Sequence, residues 1–432
     1  MTPDIPELRS LNNPNSVIRI SYQQDVPLTE RVRRLIDCAE FQYLKGLSQL
    51  GLVSTVYPSA NHTRFEHSLG VYHLGLRYLS HFLSFPSFSE SVTVHEMEIF
   101  VISALLHDIG HWPYCHPMED MQLPEIPSHE ARAAKSICTG DLANAIDSDW
   151  NCTPAEVSAF LSGQPASTAQ RLLYSMLSSP VDIDKMDYLQ RDSLHAGIPY
   201  GRNFDQQRLL SGLIPEIDSP RIAIRSKAFT AAEMMVFARY IMFSEVYWHK
   251  TVRAATAMLQ RSIYETALHR SIESIFHSQD AEANTFLIDH CPAQKLVTDL
   301  LGPTRNLHKC IFQCTASSHP LIFQRIAGMD YSELSNASNS LQTELGFDDS
   351  IGTILIDAPP KELEVQFDLN VVDDITGQLQ PLSLRSPVVR SLATEQFDYH
   401  VKQVRIFVAQ TESSGVEGHH SLEDCLLKSI SD

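Results

Sequence analysis

The chain is short of basic residues: 33 Lys and Arg stand against 52 Asp and Glu, a formal net charge of -19. That deficit argues against nucleic acid as the main partner, because backbone binding is built from Lys and Arg contacts to phosphate. It does not exclude a small anionic ligand held in a local basic pocket. No apolar run reaches the roughly 18 residues of a membrane-spanning helix, so no membrane span is expected. The N-terminus lacks a basic stretch followed by an apolar core, and no secretory signal is read there. Cys310 and Cys314 have no second pair that would complete a zinc ribbon. Reduced cysteines in a cytoplasmic protein are therefore the expectation. There is no internal repeat and no low-complexity tract.

What is present fits a globular protein with a real core: 432 residues, 43% hydrophobic and 20% charged, enough for two or three domains. The pattern predicts a mainly α protein, a helical core followed by a smaller C-terminal α+β module. Residues 1–16, rich in Pro, Asn and Ser, read as a loose arm. The helical domain is placed at 17–300, the α+β module at 301–412 and a tail at 413–432. Val17 to Ser21 reads as a short strand, and Thr29 opens a helix whose apolar face runs from Val32 to Leu50. Leu52 to Tyr57 reads as a strand or turn. A helix is expected to open at His67 and run to about Phe82, and another from His95 to His107. Phe85 to Ser91 reads as a loop. Ser128 caps a helix that starts at His129, and Thr153-Pro154-Ala155-Glu156 is a capping box with Pro in the first turn. Ala228 to His269 reads as one long helix. In the C-terminal module Ile351–Ile356, Leu363–Phe367 and Lys402–Val408 read as strands, and Leu422 to Ile430 as a short helix.

Chemistry concentrates at His107-Asp108-Ile109-Gly110-His111. This segment ends the apolar run Ile99 to Leu106. Adjacent His and Asp offer one nitrogen and one oxygen at nearly the same height, a mixture that a divalent metal accepts. Gly110 lets the backbone turn without a Cβ penalty, and continued helix would put His111 over the same face as His107. His116 and His129 follow close behind. Arg64 precedes His67 by three residues, so a cation and a histidine could share a face. Further on, Asp182, Asp184, Asp187 and Asp192 lie within eleven positions beside Lys185 and Arg191. Ile183, Met186 and Leu189 imply partial burial there, and a buried carboxylate needs a partner charge or a metal. This segment can supply the second carboxylate that the first half lacks.

The order of a histidine, then a His-Asp pair, then a distant Asp resembles the HD-domain metal-dependent phosphohydrolases. Ser48-Gln49-Leu50-Gly51, Thr63 to Val71, His107 to His111 and Ile183 to Tyr188 look like the dNTP triphosphohydrolase branch, which includes the vertebrate SAM-and-HD-containing enzyme. The resemblance is strong over roughly 17–260, and no SAM domain is evident. It implies a divalent metal (Mn, Fe, Ni, Mg or Zn) held by His67, His107, Asp108 and Asp184. It implies catalytic assistance from His111 and His129 beside Asp108. It also implies substrate contacts from Gln49, Leu50, Arg64, His116, Lys185, Tyr188, Arg239 and Tyr247, with Gln49 and Leu50 beside the deoxyribose and base. Phe243 and Trp248 depart from that family's pattern, which has histidine and glutamine there.

The expected activity is metal-assisted hydrolysis of a deoxynucleoside triphosphate to deoxynucleoside and tripolyphosphate. A nucleotide monophosphatase or phosphodiesterase on the same metal chemistry, and an inactive nucleotide-binding regulator, are the alternatives. His111 or His129 could protonate the leaving oxygen or hold a second metal. A homo-oligomer, dimer or tetramer, is expected.

Overall fold

The computed structural model describes residues 5–12, 16–21, 24–216, 219–347, 350–359, 368–392, 401–412 and 422–430. The chain opens with α1 (Pro6–Asn12), the hairpin β1 (Val17–Ile20) and β2 (Gln24–Pro27), and α2 (Glu30–Asp37). The described part of the N-terminal arm is not loose. Ile5 is fully buried, and the buried carboxylate of Glu7 accepts from the Arg31 guanidinium at 2.5 Å and the Thr29 hydroxyl at 2.6 Å. Apolar burial and a paired buried charge together pin the segment.

The apolar face from Val32 to Leu50 is not one helix. The backbone turns extended at Cys38, and the Gln42 side-chain amide takes the carbonyl of Ile36 at 2.7 Å. Two short turns follow, Ala39–Gln42 and the 3-10 turn Tyr43–Gly46. Gly51–Thr55 is a further 3-10 turn rather than a strand, and the expected loop after residue 85 holds a single helical turn, Pro86–Ser89.

Three helices form the centre: α3 (Arg64–Phe82), α4 (Val94–Leu106) and, farther along the chain, α9 (Ile183–Ala196), with α3 packed against both others. Between them lie α5 (Cys115–Glu119), α6 (His129–Cys138), α7 (Pro154–Leu161) and α8 (Thr168–Leu177). The capping boxes at Thr93/Glu96 and Thr153/Glu156 set the starts of α4 and α7, and Ser128 caps α6. Asp182 caps α9, accepting from the Lys185 main-chain N–H at 2.7 Å. Helix α4 is buried nearly all round, so it carries no amphipathic stripe and reads in sequence as a continuous apolar run.

The strands β3 (Leu213–Pro215) and β4 (Ile222–Arg225) precede α10 (Phe229–Met242) and α11 (Lys250–Ala267). The long helix expected from Ala228 to His269 is therefore interrupted. Phe243–Tyr247 forms a π turn in which the Trp248 N–H reaches back to the Phe243 carbonyl at 2.8 Å. His249 is then extended and caps α11 through Nδ1, which accepts from the Thr251 N–H at 3.2 Å. The extra residue in the π turn rotates the following side chains, a device found often at functional sites.

The rest of the chain comprises β5 (Lys309–Cys314), α12 (Tyr331–Glu344), β6 (Ile354–Asp357), β7 (Asn370–Val372), β8 (Leu379–Pro381), β9 (Val404–Val408) and α13 (Leu422–Ser429). Strands β5-β9-β6 make an antiparallel sheet, and α12 and α13 close a separate apolar core over it. Strands β7 and β8 instead extend β3-β4 into a four-stranded sheet, with β4 and β7 parallel in the register Ile224 to Val371. The strand expected at Leu363–Phe367 lies outside the described residues. The architecture is mainly α, an HD-type helical core with a smaller α+β region. No helix among the described residues is long and apolar enough to cross a membrane.

Candidate metal centre

The centre forms where α3, the end of α4 and the first turn of α9 meet. His67 lies in the first turn of α3, which begins at Arg64 rather than at His67 itself. His107 caps the C-terminus of α4, and Asp184 lies in the first turn of α9. His67 Nε2 is 3.1 Å from His107 Nε2 and 3.0 Å from Asp184 Oδ1; His107 Nε2 is 3.9 Å from the same oxygen. Asp108 completes the set: its Oδ1 is 3.6 Å from His107 Nε2, and its Oδ2 accepts from Arg64 Nη1 at 2.8 Å.

These residues fit a divalent ion. The donors are two imidazole nitrogens and two carboxylate oxygens, a mixed set suited to such metals. Ligands about 2.1 Å from a metal and roughly at right angles stand about 3 Å apart, the spacing His67 keeps to His107 and Asp184. Behind His67, Asp187 Oδ2 accepts from Nδ1 at 2.8 Å, the carboxylate support that fixes the ring of a metal-binding histidine. With one proton committed to Asp187, Nε2 of a neutral ring would face the Asp184 oxygen as lone pair against lone pair. In the ion-free protein a second proton relieves this. Burial works against that charge, but the hydrogen bonds to Asp184 and Asp187 outweigh it and raise His67 to about 10. A cation would take the place of that proton.

Asp187 is itself held by the fully buried Arg191, whose Nε and Nη2 both donate at 2.8 Å, and Arg191 also reaches Glu66 at 2.7 Å. Burial opposes the charge on Asp187, but Arg191 and His67 outweigh it and lower the carboxyl to about 2. Gly70 makes room for the pair: a Cβ there would stand 2.1 Å from Asp187 Oδ1 and 2.2 Å from Arg191 Nη2.

His111 does not share a helical face with His107, because α4 ends at Leu106 and the chain turns. Gly110 serves a close approach rather than a special backbone angle: a Cβ there would lie 2.1 Å from the carbonyl of His129, so the glycine lets α6 dock on the turn. His111 and His129 consequently stack with ring centroids 4.7 Å apart, and His116 stands 5.1 Å from His111. Glu119 accepts from His129 Nδ1 at 2.8 Å and from its main-chain N–H at 2.8 Å. That hydrogen bond outweighs burial and raises the His129 pKa; burial and Arg64 push His111 well below the ordinary histidine value.

Beside the metal residues lies a cavity of about 480 Å³. Gln49, Leu50, Arg64, His116 and Tyr247 line it, and so do Phe243 and Trp248. The Gln49 side-chain oxygen has no hydrogen-bond partner among the described residues. Tyr247 presents its ring while its hydroxyl donates to Asp192 at 2.7 Å, and Asp192 also holds His62 at 2.8 Å. Lys185, Tyr188 and Arg239 are not in the cavity wall. Lys185 Nζ is bound to Asp182 at 2.7 Å, the Tyr188 ring is 6.4 Å from that of Tyr247, and the Arg239 guanidinium lies 5.6 Å from the Phe243 ring. The supporting residues Asp187, Arg191, Glu119, His62 and Asp192 were not expected at the site. The only sequence signals for them are the spacing of Asp187 from Asp184 and of Glu119 from His116, three residues each.

The helical core and its His and Asp cluster define an HD-type domain. The family model described as the HD associated region matches residues 204–426. The uncharacterized protein MJ1154 of Methanocaldococcus jannaschii is 35% identical over 261 residues, covering 60% of this chain and 51% of that one. The deoxynucleoside triphosphate triphosphohydrolase SAMHD1 homolog of Dictyostelium discoideum is 29% identical over 253 residues, 57% of this chain and 48% of that one. A crystal structure of a hypothetical protein from Aquifex aeolicus matches 93% of this chain and 99% of its own, with a TM-score of 0.72 at 25% identity. The chain spans about half the length of the first two relatives. It belongs to the HD-domain phosphohydrolase superfamily and is similar to its SAMHD1-like members.

Proposed function

We propose that this chain is a divalent-metal phosphohydrolase that cleaves a nucleoside triphosphate, deoxy in preference, into nucleoside and tripolyphosphate. The observation that carries the reading is Arg64. One of its nitrogens holds Asp108 at 2.8 Å, and the same side chain lines the cavity of about 480 Å³. Arg64 thus links the metal residues to the cavity, and the volume suits a nucleotide. Gln49 and Leu50 in that wall support the deoxy preference through the resemblance of Ser48-Gln49-Leu50-Gly51 to the relatives' sugar-facing segment.

A divalent ion held by His67, His107, Asp108 and Asp184 would act as a Lewis acid on a phosphoryl oxygen and lower the pKa of water. Asp187 fixes the ring plane and tautomer of His67. Arg64 orients Asp108 and offsets negative charge that grows on the phosphate oxygens. Glu119 holds the His129 imidazolium by Nδ1, which leaves Nε2–H to protonate the departing nucleoside oxygen. The stacked His111 stays neutral and adds no second charge beside His129.

Phe243 and Trp248 favour a second reading. Trp248 is fixed by Arg253 over its ring at 4.7 Å and by Arg405, which donates to its carbonyl at 3.1 Å. A rigid bulky wall suits a smaller ester, so a nucleotide monophosphatase or phosphodiesterase is the alternative. We also infer a cytoplasmic homo-oligomer, to be read from light scattering with and without nucleotide. Anion-exchange separation of the products from dNTPs, NTPs, dNMPs and cyclic dinucleotides distinguishes the two reactions. Tripolyphosphate from any dNTP supports the first, and phosphate from dNMPs with dNTPs intact supports the second.

A further inference from the structure

We propose that His111, Cys115 and His129 form a second metal site, separate from the first and selective for a thiophilic divalent ion such as zinc. One ligand nitrogen from each histidine and the sulfur of Cys115 lie within 4.8 Å of one another. The Nδ1 atoms of both rings are already engaged. That of His129 donates to Glu119 at 2.8 Å, and that of His111 faces the Asp108 carbonyl at 3.2 Å and its Oδ1 at 3.3 Å. An oxygen behind each ring is the arrangement that orients metal-binding imidazoles. Both Nε2 atoms therefore remain for a ligand. That of His111 is buried with no hydrogen-bond partner among the described residues, in a residue only 4% exposed.

Cys115 supplies what the first centre lacks. It is 2% exposed overall but forms part of the cavity wall, so an ion entering the cavity reaches it. Two nitrogens and a sulfur prefer zinc over magnesium or manganese. Tetrahedral bonds of about 2.0–2.3 Å place ligand atoms roughly 3.3–3.8 Å apart, so an ion would draw the three residues in from their present limit of 4.8 Å. His116, with its ring 5.8 Å from that of His129 and its side chain 60% exposed, supplies a fourth ligand by turning away from Glu119, whose Oε2 stands 3.7 Å from its Nδ1. As the ion binds, the thiol proton of Cys115 and the Nε2 proton of the His129 imidazolium pass to solvent, and no electron is transferred. The consequence is inhibition, because a metal on His129 Nε2 takes the lone pair that would carry the proton. That consequence rests on the reaction proposed above; the site does not.

The test is metal binding by the full chain, stripped of metal and titrated with cobalt(II). The expected result is two equivalents, one of which brings a sulfur-to-cobalt charge-transfer band. Cys115→Ser should remove that band and one equivalent; Asp184→Asn should keep the band and lose the other. If Cys115→Ser does not fold by circular dichroism, X-ray absorption on the zinc-loaded wild-type chain decides instead, with a sulfur neighbour at about 2.3 Å expected. A single equivalent, or a second one without sulfur, overturns the site. Inhibition of the manganese-loaded enzyme by added zinc, lost in Cys115→Ser, supports the consequence. A sulfur band without inhibition upholds the site and overturns the assignment of His129 as proton donor.

Discussion

Replacing Gly70 by Ala tests whether the layer behind the metal residues matters, without touching a ligand. In the middle of α3, Gly→Ala would ordinarily stabilise by about 1 kcal/mol through helix propensity. Here the new Cβ would stand 2.1 Å from Asp187 Oδ1 and 2.2 Å from Arg191 Nη2, where real contacts essentially never fall below 3.0 Å. The carboxylate must retreat by about 1 Å, and a packed interior has little room for that. Overpacking costs about 1–3 kcal/mol, and full loss of a buried ion pair about 3–5 kcal/mol. Partial displacement of the pair, less the propensity gain, gives a net destabilisation of about 2 kcal/mol. The same retreat weakens the 2.8 Å hydrogen bond to His67 Nδ1, and loss of such a partner typically lowers metal affinity about 10–100-fold. Urea unfolding of the metal-free protein measures the first effect, and competition against a chelator measures the second. A variant as stable as the wild type or more so, with unchanged metal affinity, would refute the reasoning.

Three further outcomes are expected. Asp108→Ala should abolish bound metal at the first centre and hydrolysis while far-UV circular dichroism stays near native; full metal occupancy would remove the assignment. His129→Ala should lower turnover about 10²–10⁴-fold with metal at the first centre retained, and loss of that metal would contradict a role in proton transfer. His308 should make stability pH-dependent: burial lowers it from 6.5 to about 4 although the Gly352 carbonyl partly offsets this, so the fold keeps the ring neutral while the unfolded chain takes up a proton. Stability from this group is complete above pH 6.5 and is lost as the pH falls through 6.5 to about 4, by up to about 3 kcal/mol. Subtracting the unfolding free energies of His308→Gln from those of the wild type isolates the effect, and a flat difference across that window would contradict it.

How much of this was legible in the sequence depends on whether the signal was local. His107-Asp108 stands out because the two potential ligands are adjacent and follow an apolar run. The caps at Ser128 and Thr153 are local too, and they mark their helix starts. His67 and Asp184 are separated from the pair by long stretches, and only the resemblance to a family joined them to it. The role of Asp187 was not legible, because four aspartates crowd one short segment and only the packing of α9 on α3 selects the one behind His67. The break between α10 and α11 carries no Gly or Pro; it follows from a π turn and a histidine cap, which leave the apolar pattern unbroken. The helix at Pro6–Asn12 was hidden because what pins it lies far along the chain: Arg31 and Thr29 on Glu7, and the core against which Leu8 and Leu11 pack. At Lys185 the sequence hides a local partner: the cation beside an expected ligand is held by its own helix cap, Asp182.

The most direct test of the account is the identity of the product. The manganese-loaded full chain is incubated with each dNTP in turn, and the products are resolved by anion-exchange chromatography. The account predicts deoxynucleoside and tripolyphosphate in equal amounts from at least one dNTP. Phosphate released from dNMPs, with every dNTP untouched whichever metal is supplied, would contradict it.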